Sequence, residues 1–454
     1  MHTLEQLQRG ELAGITRLQL RCGLTEFPRE IFELADSLEI LDLSGNQLST
    51  LPDDLPRLHK LRVIFCSDNP FTELPEVLGQ CQQLSMVGFK ANRIAHVSPK
   101  ALPPLLRWLI LTDNALTTLP AEIGQCTQMQ KLALAGNQLR SLPPALANCS
   151  RLELLRISAN QLSEFPSWLL HMPRLTWLAY AGNPFCEHLE STAIANAPMQ
   201  HIAWSQLQLQ HQLGEGASGV IHQATLRTNK GKQTVAVKLF KGAVTSDGLP
   251  DCEMAACMHA GAHPHVVSAM ARVTEHPDNQ QALVMPLIAP EFGNLAGPPS
   301  LESCTRDVYP NGKRLGWHAT LRMARGMTAA TQHLHVRGIL HGDLYAHNIL
   351  HTAAGDALLS DFGAAAFFDV NDAALAQGLE KLEVRALGCL LEELAEQCDV
   401  TSVHAQTEAN ALTPSSHSKQ LQTLKEIAQQ CLHDTPAQRP SLAQVCAELE
   451  ALSH

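Results

Sequence analysis

Aromatic residues are scarce in this chain of 454 residues: phenylalanine, tryptophan and tyrosine together make up 4% of it. Charged residues are also few at 17%, whereas apolar residues account for 45%. A mostly disordered chain is excluded, because such chains are poor in apolar residues and rich in net charge. Since leucine is abundant, the composition predicts a repeat protein whose core is built from one aliphatic residue type.

The chain also lacks an excess of positive charge, long apolar runs and an apolar N-terminal segment. Its formal net charge of −11 excludes attraction to nucleic acid or an anionic membrane through bulk charge. The longest apolar stretches, such as residues 282–289, fall far short of the roughly 20 residues that cross a bilayer. The first residues contain no apolar region typical of a secretory signal. We therefore expect a cytoplasmic protein without nucleic-acid or membrane partners.

The first 200 residues contain an internal repeat of 22 or 23 residues. A pattern of the form LxxLxLxxNxL recurs, and its asparagines are Asn46, Asn69, Asn92, Asn114, Asn137, Asn160 and Asn183. The pattern resembles the leucine-rich repeat, over about residues 15–190. The resemblance implies an α/β solenoid with parallel strands on its concave face, and we expect this domain to span residues 1–200.

Simple physics agrees with this interpretation. One 23-residue unit cannot bury its own apolar side, whereas stacked units form a continuous core. We expect each asparagine to turn the chain and to bond the backbone of neighbouring coils. The 13 cysteines have no Cys-x-x-Cys spacing, which favours free thiols. Cys81, Cys126 and Cys149 share one slot of the repeat, so we expect them to be small core residues.

The outward positions of the predicted strands carry several large side chains. They should line the concave face, and large apolar residues there predict a protein-docking surface. The candidate docking residues are Phe65, Trp108, Ile110, Leu154, Arg156 and Trp177. The partner could be another protein or the second domain of this chain, through an intramolecular contact.

The second half begins with glycines at a spacing that can cradle phosphates. Gly214, Gly216 and Gly219 follow the pattern GxGxxG, which alone is a weak signal. The sequence VAVK then ends at Lys238 on a predicted strand, and Glu253 lies in a predicted helix. A lysine–glutamate ion pair would orient the lysine toward phosphates.

Two further motifs follow in order. ILHGDLYAHNIL contains Asp343 and Asn348, and LLSDFG contains Asp361. They offer a carboxylate to accept a hydroxyl proton, and an amide and a carboxylate to hold Mg²⁺. The ordered set resembles the protein kinases over roughly residues 205–450. We therefore expect an α+β bilobal kinase-like domain at residues 201–454.

The resemblance implies ATP and Mg²⁺ as co-substrate and metal. It places the three glycines over the phosphates, Lys238 on the α- and β-phosphates, and Glu253 as the residue that orients Lys238. Asp343 is then the catalytic base, and Asn348 and Asp361 are the metal ligands. The remaining nucleotide-binding residues that it implies are Ile221, Ala236, Met285 and Ile288.

Several positions depart from the family pattern. Gly342 replaces the arginine that normally pairs with a phosphate on the activation loop, and the segment after Asp361 contains no Ser, Thr or Tyr. Activation-loop phosphorylation therefore has neither an acceptor nor a receptor. Tyr345 replaces the catalytic-loop lysine, and the Ala-Pro-Glu motif that helps to seat a peptide is missing.

The expected function is that of an ATP-dependent protein kinase, Ser/Thr-directed, whose repeats bind a protein partner or regulate the kinase. Two alternatives stay open. Tyr345 and the missing substrate segment favour a scaffold that binds ATP but transfers little phosphate. The His-Gly-Asp sequence and the short loop favour a small-molecule phosphotransferase.

Overall fold

The computed structural model describes residues 2–196, 200–216, 218–229, 231–242, 245, 248–399 and 414–452. The chain forms two compact units. The first contains Met1–Leu175 and Asn183–Phe185, and the second contains Thr176–Gly182 and Cys186–His454. The segment Thr176–Gly182 carries the strand sequence of the last repeat, yet it belongs to the second unit.

The first unit begins with a short helix, α1 (Leu4–Gln8), which a capping box at Thr3 starts. Seven parallel strands follow, each three residues long. They are β1 (Arg17–Gln19), β2 (Ile40–Asp42), β3 (Val63–Phe65), β4 (Met86–Gly88), β5 (Trp108–Ile110), β6 (Lys131–Ala133) and β7 (Leu154–Arg156). Residues in equal slots of successive repeats pair with each other, as Leu41 does with Ile64. The middle residue of every strand is buried, which confirms the predicted solenoid of parallel strands.

Short 3-10 helices return the chain between the strands, and most begin directly after the repeat proline. This position suits proline, because its fixed φ and missing N–H do not disturb the first turn of a helix. The 3-10 helices are Arg29–Leu34, Leu55–Arg57, Glu76–Gln80, Pro99–Ala101, Ala121–Gln125, Pro144–Asn148 and Ser167–His171.

The repeat asparagines bond the backbone of neighbouring coils, as predicted. The Asn137 side-chain oxygen accepts the N–H of Leu116 at 3.0 Å, and its amide donates to the carbonyls of Leu111 and Leu134 at 2.8 and 2.9 Å. Asn46, which lies in one of the first repeats, makes the equivalent contacts with the backbone of its own coil and of the neighbouring coil. Buried backbone groups that turn away from the strand are thereby satisfied.

The cysteines of the shared slot are core residues, which confirms the prediction. Cys81, Cys126 and Cys149 are buried and free. Burial raises the pKa of Cys81 and of Cys126 to about 11 and that of Cys149 to about 12. Such thiols stay protonated and unreactive near neutral pH.

The second unit opens with a strand, a helix and a sheet. The first elements are β8 (Trp177–Ala179) and α2 (Glu187–Asn196). The sheet consists of β9 (Gln200–Ala203), β10 (Leu207–Glu215), β11 (Gly219–Thr228), β12 (Gly231–Phe240), β13 (Ala271–Thr274) and β14 (Ala282–Pro286), with α3 (Pro250–Ala260) between β12 and β13. The strand order is β10-β11-β12-β14-β13-β9. Its apolar cluster includes Val235, Val237 and Val284, as expected for β-branched residues on a half-buried strand face.

The rest of the second unit is mainly helical. The helices are α4 (Trp317–Val336), α5 (Ala373–Gln397), α6 (Pro414–Cys431) and α7 (Leu442–Ala451). The short strands are β15 (Gly293–Asn294), β16 (Leu315–Gly316), β17 (Ile339–Leu340), β18 (Ile349–His351), β19 (Ala357–Leu359), β20 (Ala366–Phe367) and β21 (Cys398–Asp399). Within the described residues, no helix is both long and apolar enough to span a bilayer.

The Gly- and Pro-rich insertion at residues 289–317 is fixed to α5 by charged groups. Arg306 pairs with Glu392 at 2.7 Å and with Glu393 at 3.0 Å, and the Tyr309 hydroxyl donates to Glu393 at 3.2 Å. Burial, reinforced by the charge of Asp307, raises the pKa of Glu393 to about 7, although Arg306 opposes the shift.

We predict that Asn137→Ala lowers the free energy of unfolding by about 1–3 kcal/mol, because the buried Leu116 N–H loses its acceptor. The carbonyls of Leu111 and Leu134 each lose one of two donors. Urea denaturation followed by circular dichroism measures the change. Gln138→Ala is the matched control, since its side chain is exposed. Equal midpoints for the two variants would contradict the structural role of Asn137.

We predict that stability falls between pH 4.5 and pH 7 through Glu393. Its folded pKa of about 7 exceeds its ordinary value of 4.5, so the folded state binds the extra proton and loses this advantage as the pH rises. The loss is on the order of 3 kcal/mol, at about 1.4 kcal/mol for each pKa unit. Glu393→Gln should flatten the pH dependence of the unfolding midpoint, and Glu392→Gln should leave it unchanged. A slope that persists in Glu393→Gln would exclude this group as its source.

Candidate active site

The glycine motif forms the turn between β10 and β11. The Gly216 N–H donates to the Gly219 carbonyl at 2.9 Å and closes the turn. A Cβ at Gly219 would lie 2.5 Å from the Leu239 carbonyl oxygen, so no larger residue fits there. A Cβ at Gly214 or Gly216 would meet open space, and the hairpin therefore exposes backbone that phosphates can approach.

Lys238 lies on β12 and is matched by two carboxylates. Its ammonium forms an ion pair with Glu253 on α3 and lies 3.5 Å from the Asp361 carboxylate. Lys238 and Glu253 are both buried, at 7% and 4% exposure. Burial alone would lower the pKa of Lys238, but the charges of Asp361 and Glu253 outweigh it, so the pKa lies above its ordinary value. Lys238 therefore stays positively charged near neutral pH, on the strand that pairs with β11 of the glycine hairpin.

The four apolar positions implied for the nucleotide lie on strands around Lys238. Ile221 on β11 pairs with Lys238, and Ala236 on β12 pairs with Met285 on β14. Ile288 follows two residues after β14 ends at Pro286, and it is half-buried. Three of these residues thus share one sheet with Lys238, and the fourth follows it directly.

The catalytic-loop residues lie between β17 and β18. The Asn348 amide donates to the Asp343 carboxylate at 2.8 Å and to its carbonyl at 3.0 Å. Asp343 is half-buried, whereas Asn348 is 6% exposed. The predicted base and the predicted amide ligand are therefore held together by direct hydrogen bonds.

Asp361 has an uncommon backbone conformation. Its φ is +58°, a region that L-residues other than Asn and Asp rarely adopt. Its carboxylate accepts the Gly363 N–H at 3.2 Å, and burial opposes its charge. Lys238 and this N–H nevertheless hold the pKa of Asp361 below its ordinary value. Ser360 immediately before it donates twice to the Asn348 carbonyl, at 2.8 and 2.9 Å, which ties Asp361 to the catalytic loop.

Glu383 on α5 anchors the start of the catalytic loop. Its carboxylate accepts the N–H of Gly342 at 2.8 Å and that of His341 at 3.3 Å. The His335 ring on α4 donates to the same carboxylate at 2.6 Å. Burial would raise the pKa of Glu383, yet these donors, with His335 foremost, hold it below its ordinary value.

The segment that follows Asp361 is short. It contains β20, which pairs with β17, and then enters α5. The Asp372 carboxylate caps the first turn of α5 by accepting the Leu375 N–H at 3.0 Å. Residues 362–372 thus form the whole connection between Asp361 and α5. The loop after Asp361 is therefore as short in the structure as its sequence indicates.

Sequence reasoning missed two contacts of the catalytic loop. Asp307 in the insertion accepts the His347 backbone N–H at 2.9 Å and the ring Nδ1–H at 2.7 Å. Burial would lower the pKa of His347, but Asp307 outweighs it and raises this pKa above its ordinary value. Trp177 on β8 stacks on Tyr345. Neither contact has a sequence signal, because each joins residues tens of positions apart.

The predicted docking residues differ in their exposure. Phe65 and Ile110 are half-buried and flank Gly88, where a Cβ would lie 2.5 Å from the Phe65 ring. Trp108 is half-buried beneath the Lys131 ammonium, 4.6 Å from its ring centre. The other three docking candidates are buried: Leu154, Arg156 and Trp177. Trp177 belongs to the second unit and is not available to an outside partner.

The donor set fits a nucleotide with a hard divalent cation. Asn348 and Asp361 offer oxygen atoms, which Mg²⁺ prefers, and Lys238 offers a cation for phosphates. No group of three or more His, Cys, Asp or Glu side chains arranged to hold a metal lies in the described part of the chain. A cation bound at Asn348 and Asp361 would take its further ligands from phosphate oxygens and water, as Mg²⁺ does in nucleotide sites.

Comparison with known proteins agrees with the geometry. Residues 207–402 match the model of the family described as protein tyrosine and serine/threonine kinase, and residues 37–58 match the leucine-rich repeat model.

Three relatives illustrate the range of similar proteins. Serine/threonine-protein kinase PknK of Mycobacterium tuberculosis is 30% identical over 34% of this chain and 13% of its own length. Fibroblast growth factor receptor 1 of Pleurodeles waltl is 24% identical over 41% of this chain and 24% of its own. The human PH domain leucine-rich repeat-containing protein phosphatase 1 is 30% identical over 19% and 5%.

The matched regions cover less than half of the length of the relatives. The two family matches nevertheless fall on the two units that the structure separates, the first on the stack of parallel strands and the second on the residues around Lys238. The chain thus carries a leucine-rich repeat region, matched at residues 37–58, and a protein kinase domain, matched at residues 207–402.

Proposed function

We propose that this protein transfers the γ-phosphate of ATP to serine or threonine hydroxyls of a protein substrate. The observation that carries the proposal is the ion pair of Lys238 with Glu253, with Asp361 3.5 Å from the same ammonium. In the kinase mechanism this pair and the metal-binding aspartate must both be in place.

The side chains divide the chemistry among them. Lys238 neutralises phosphate charge, and Glu253 keeps its ammonium in position. Asp343 accepts the proton of the attacking hydroxyl, while the Asn348 amide orients its carboxylate at 2.8 Å. Asn348 and Asp361 would hold Mg²⁺, which supplies positive charge to the phosphates when bound.

Ile221, Ala236, Met285 and Ile288 provide an apolar surface for the adenine. Pro286 has no N–H, so hydrogen bonds to the base must come from other backbone groups of this segment. The serine/threonine preference is supported by the name of the mycobacterial relative. The connection at residues 362–372 is too short to form an extended binding surface for a substrate peptide. Other surfaces of the protein must therefore select the substrate.

We propose that the repeat unit supplies such a surface. Phe65 on β3 and Ile110 on β5 meet across Gly88 of the intervening strand β4, and Trp108 on β5 extends this apolar patch. Lys131 on β6 adds a cation over the Trp108 ring. A mixed aromatic, aliphatic and cationic composition is typical of protein interfaces.

We predict that Asp343→Ala lowers the rate of phosphate transfer by about 10²–10⁴-fold, because the general base is lost. Asp361→Ala should abolish transfer, because a metal carboxylate is lost. Intact-mass spectrometry after incubation with Mg-ATP, with and without a generic protein substrate, measures the transferred phosphate. Asp278→Ala, which removes an exposed carboxylate outside the site, is the control.

The outcomes separate the candidate functions. Transfer that is lost in both variants but kept in the control supports a protein kinase. Transfer that survives Asp361→Ala would contradict the assigned site. ATP could instead raise the melting temperature of the wild type in a thermal-shift experiment while no protein gains phosphate. This result would favour a nucleotide-binding scaffold. The replacement of the catalytic-loop lysine by Tyr345 is the observation that supports this alternative.

A further inference from the structure

The strand β8 packs against the catalytic loop within the second unit. The Trp177 indole stacks on the Tyr345 ring, with ring centres 4.0 Å apart and planes 11° from parallel. The indole N–H also donates to the Leu344 carbonyl at 3.0 Å. Trp177 is 1% exposed and Tyr345 is 4% exposed, so water does not compete with either contact. Parallel stacking of this kind favours one relative orientation of the two rings.

The next residue of β8 occupies the space beside Gly342. A Cβ placed on Gly342 would lie 2.5 Å from the Leu178 carbonyl oxygen and 2.8 Å from the Ala364 carbonyl oxygen. The φ of Gly342 is +72°, which side-chain-bearing residues rarely adopt. An arginine at this position is therefore excluded twice, by space and by backbone conformation.

Tyr180, directly after β8, reaches the segment that follows Asp361. Its hydroxyl donates to the Phe367 carbonyl at 3.2 Å, and Phe367 lies on β20. Burial raises the pKa of the Tyr180 hydroxyl well above its ordinary value, so the hydroxyl keeps the proton it donates. The stretch from Trp177 to Tyr180 thus reaches both the catalytic loop and the activation segment, which is the segment that follows Asp361.

These contacts fall on the two positions where the catalytic loop departs from the kinase pattern. Gly342 stands where an arginine would pair with an activation-loop phosphate, and Tyr345 stands where a lysine would be. In a kinase regulated by that phosphate, the arginine pair holds the catalytic loop and the activation segment together. Here Trp177 holds the loop and Tyr180 holds the segment, without a phosphate.

We propose that Trp177 and Tyr180 are positioning residues that replace the missing arginine–phosphate contact. They hold Asp343 and the activation segment in the arrangement needed for transfer, so the kinase needs no activation-loop phosphorylation. This inference rests on the proposed kinase function. It assigns residues of the repeat sequence to the catalytic machinery, although neither touches the reacting atoms.

Variants of the full chain test the proposal. Trp177→Ala removes the stack and the indole hydrogen bond, and we expect kcat to fall at least tenfold while the KM for ATP stays within twofold. Trp177→Phe keeps an aromatic ring but not the N–H, so its kcat should lie between the wild type and Trp177→Ala. Tyr180→Phe removes one hydroxyl group and should lower kcat several-fold. Trp168→Ala, which removes a half-buried indole from the repeat unit, is the matched control and should leave both constants unchanged.

Hydrogen exchange provides a readout that needs no catalysis. Amides of residues 342–345 should exchange faster in Trp177→Ala, and those of residues 364–368 faster in Tyr180→Phe, than in the wild type or in Trp168→Ala. If the wild type transfers no phosphate, the kinase proposal fails, while the exchange data still test whether these contacts constrain the loop.

Three results would overturn the inference. The first is an unchanged exchange rate at the catalytic loop and the activation segment in the variants. The second is a kcat equal to that of the wild type in both Trp177→Phe and Tyr180→Phe, which are conservative enough to fold. The third is a kcat above that of the wild type, which would mean that β8 blocks the site instead of ordering it.

Discussion

The arrangement of the second unit depends on the pairing of one buried cation, Lys238, with two carboxylates. Lys238 is removed from water, and an isolated ammonium there would lose its proton or destabilise the fold. Glu253 on α3 and Asp361 after β19 restore the balance, and each comes from a different part of the chain. The ion pair therefore fixes α3 against the sheet, and the third charge brings the segment of Asp361 to the same point. Because a buried pair gives little net stability, its value here lies in geometry.

Hydrogen bonds to backbone and side-chain groups likewise hold the catalytic loop in place. Glu383 holds the N–H groups at its start, Asn348 bonds Asp343 in its middle, and Asp307 bonds His347 near its end. Every one of these acceptors or donors is buried or half-buried, so each contact is shielded from water. The loop is thus defined by partners from α5, from the loop itself and from the insertion, rather than by a phosphate.

The repeat unit solves a different problem with one repeated device. A stack of short strands leaves backbone groups unpaired at every turn, and the asparagine of each repeat satisfies them. The leucines supply the core, which is why so few aromatic residues suffice. The outward positions of the strands carry large side chains, and Trp108 and Lys131 contact each other there.

The sequence by itself determined the repeat architecture and the order of the kinase motifs along the chain. A 23-residue period requires stacked coils, and glycine, lysine, aspartate and asparagine in one order predict a kinase site, because each residue type has a distinct chemical task. Only the tertiary structure decided which distant residues meet. The stack of Trp177 on Tyr345 and the bond of Asp307 to His347 join segments 168 and 40 positions apart. Both Gly342 and Tyr345 read as losses in the sequence. In the fold, the missing side chain of Gly342 leaves room for the Leu178 carbonyl oxygen of β8 beside the catalytic loop. The Tyr345 ring provides the face on which Trp177 of β8 stacks.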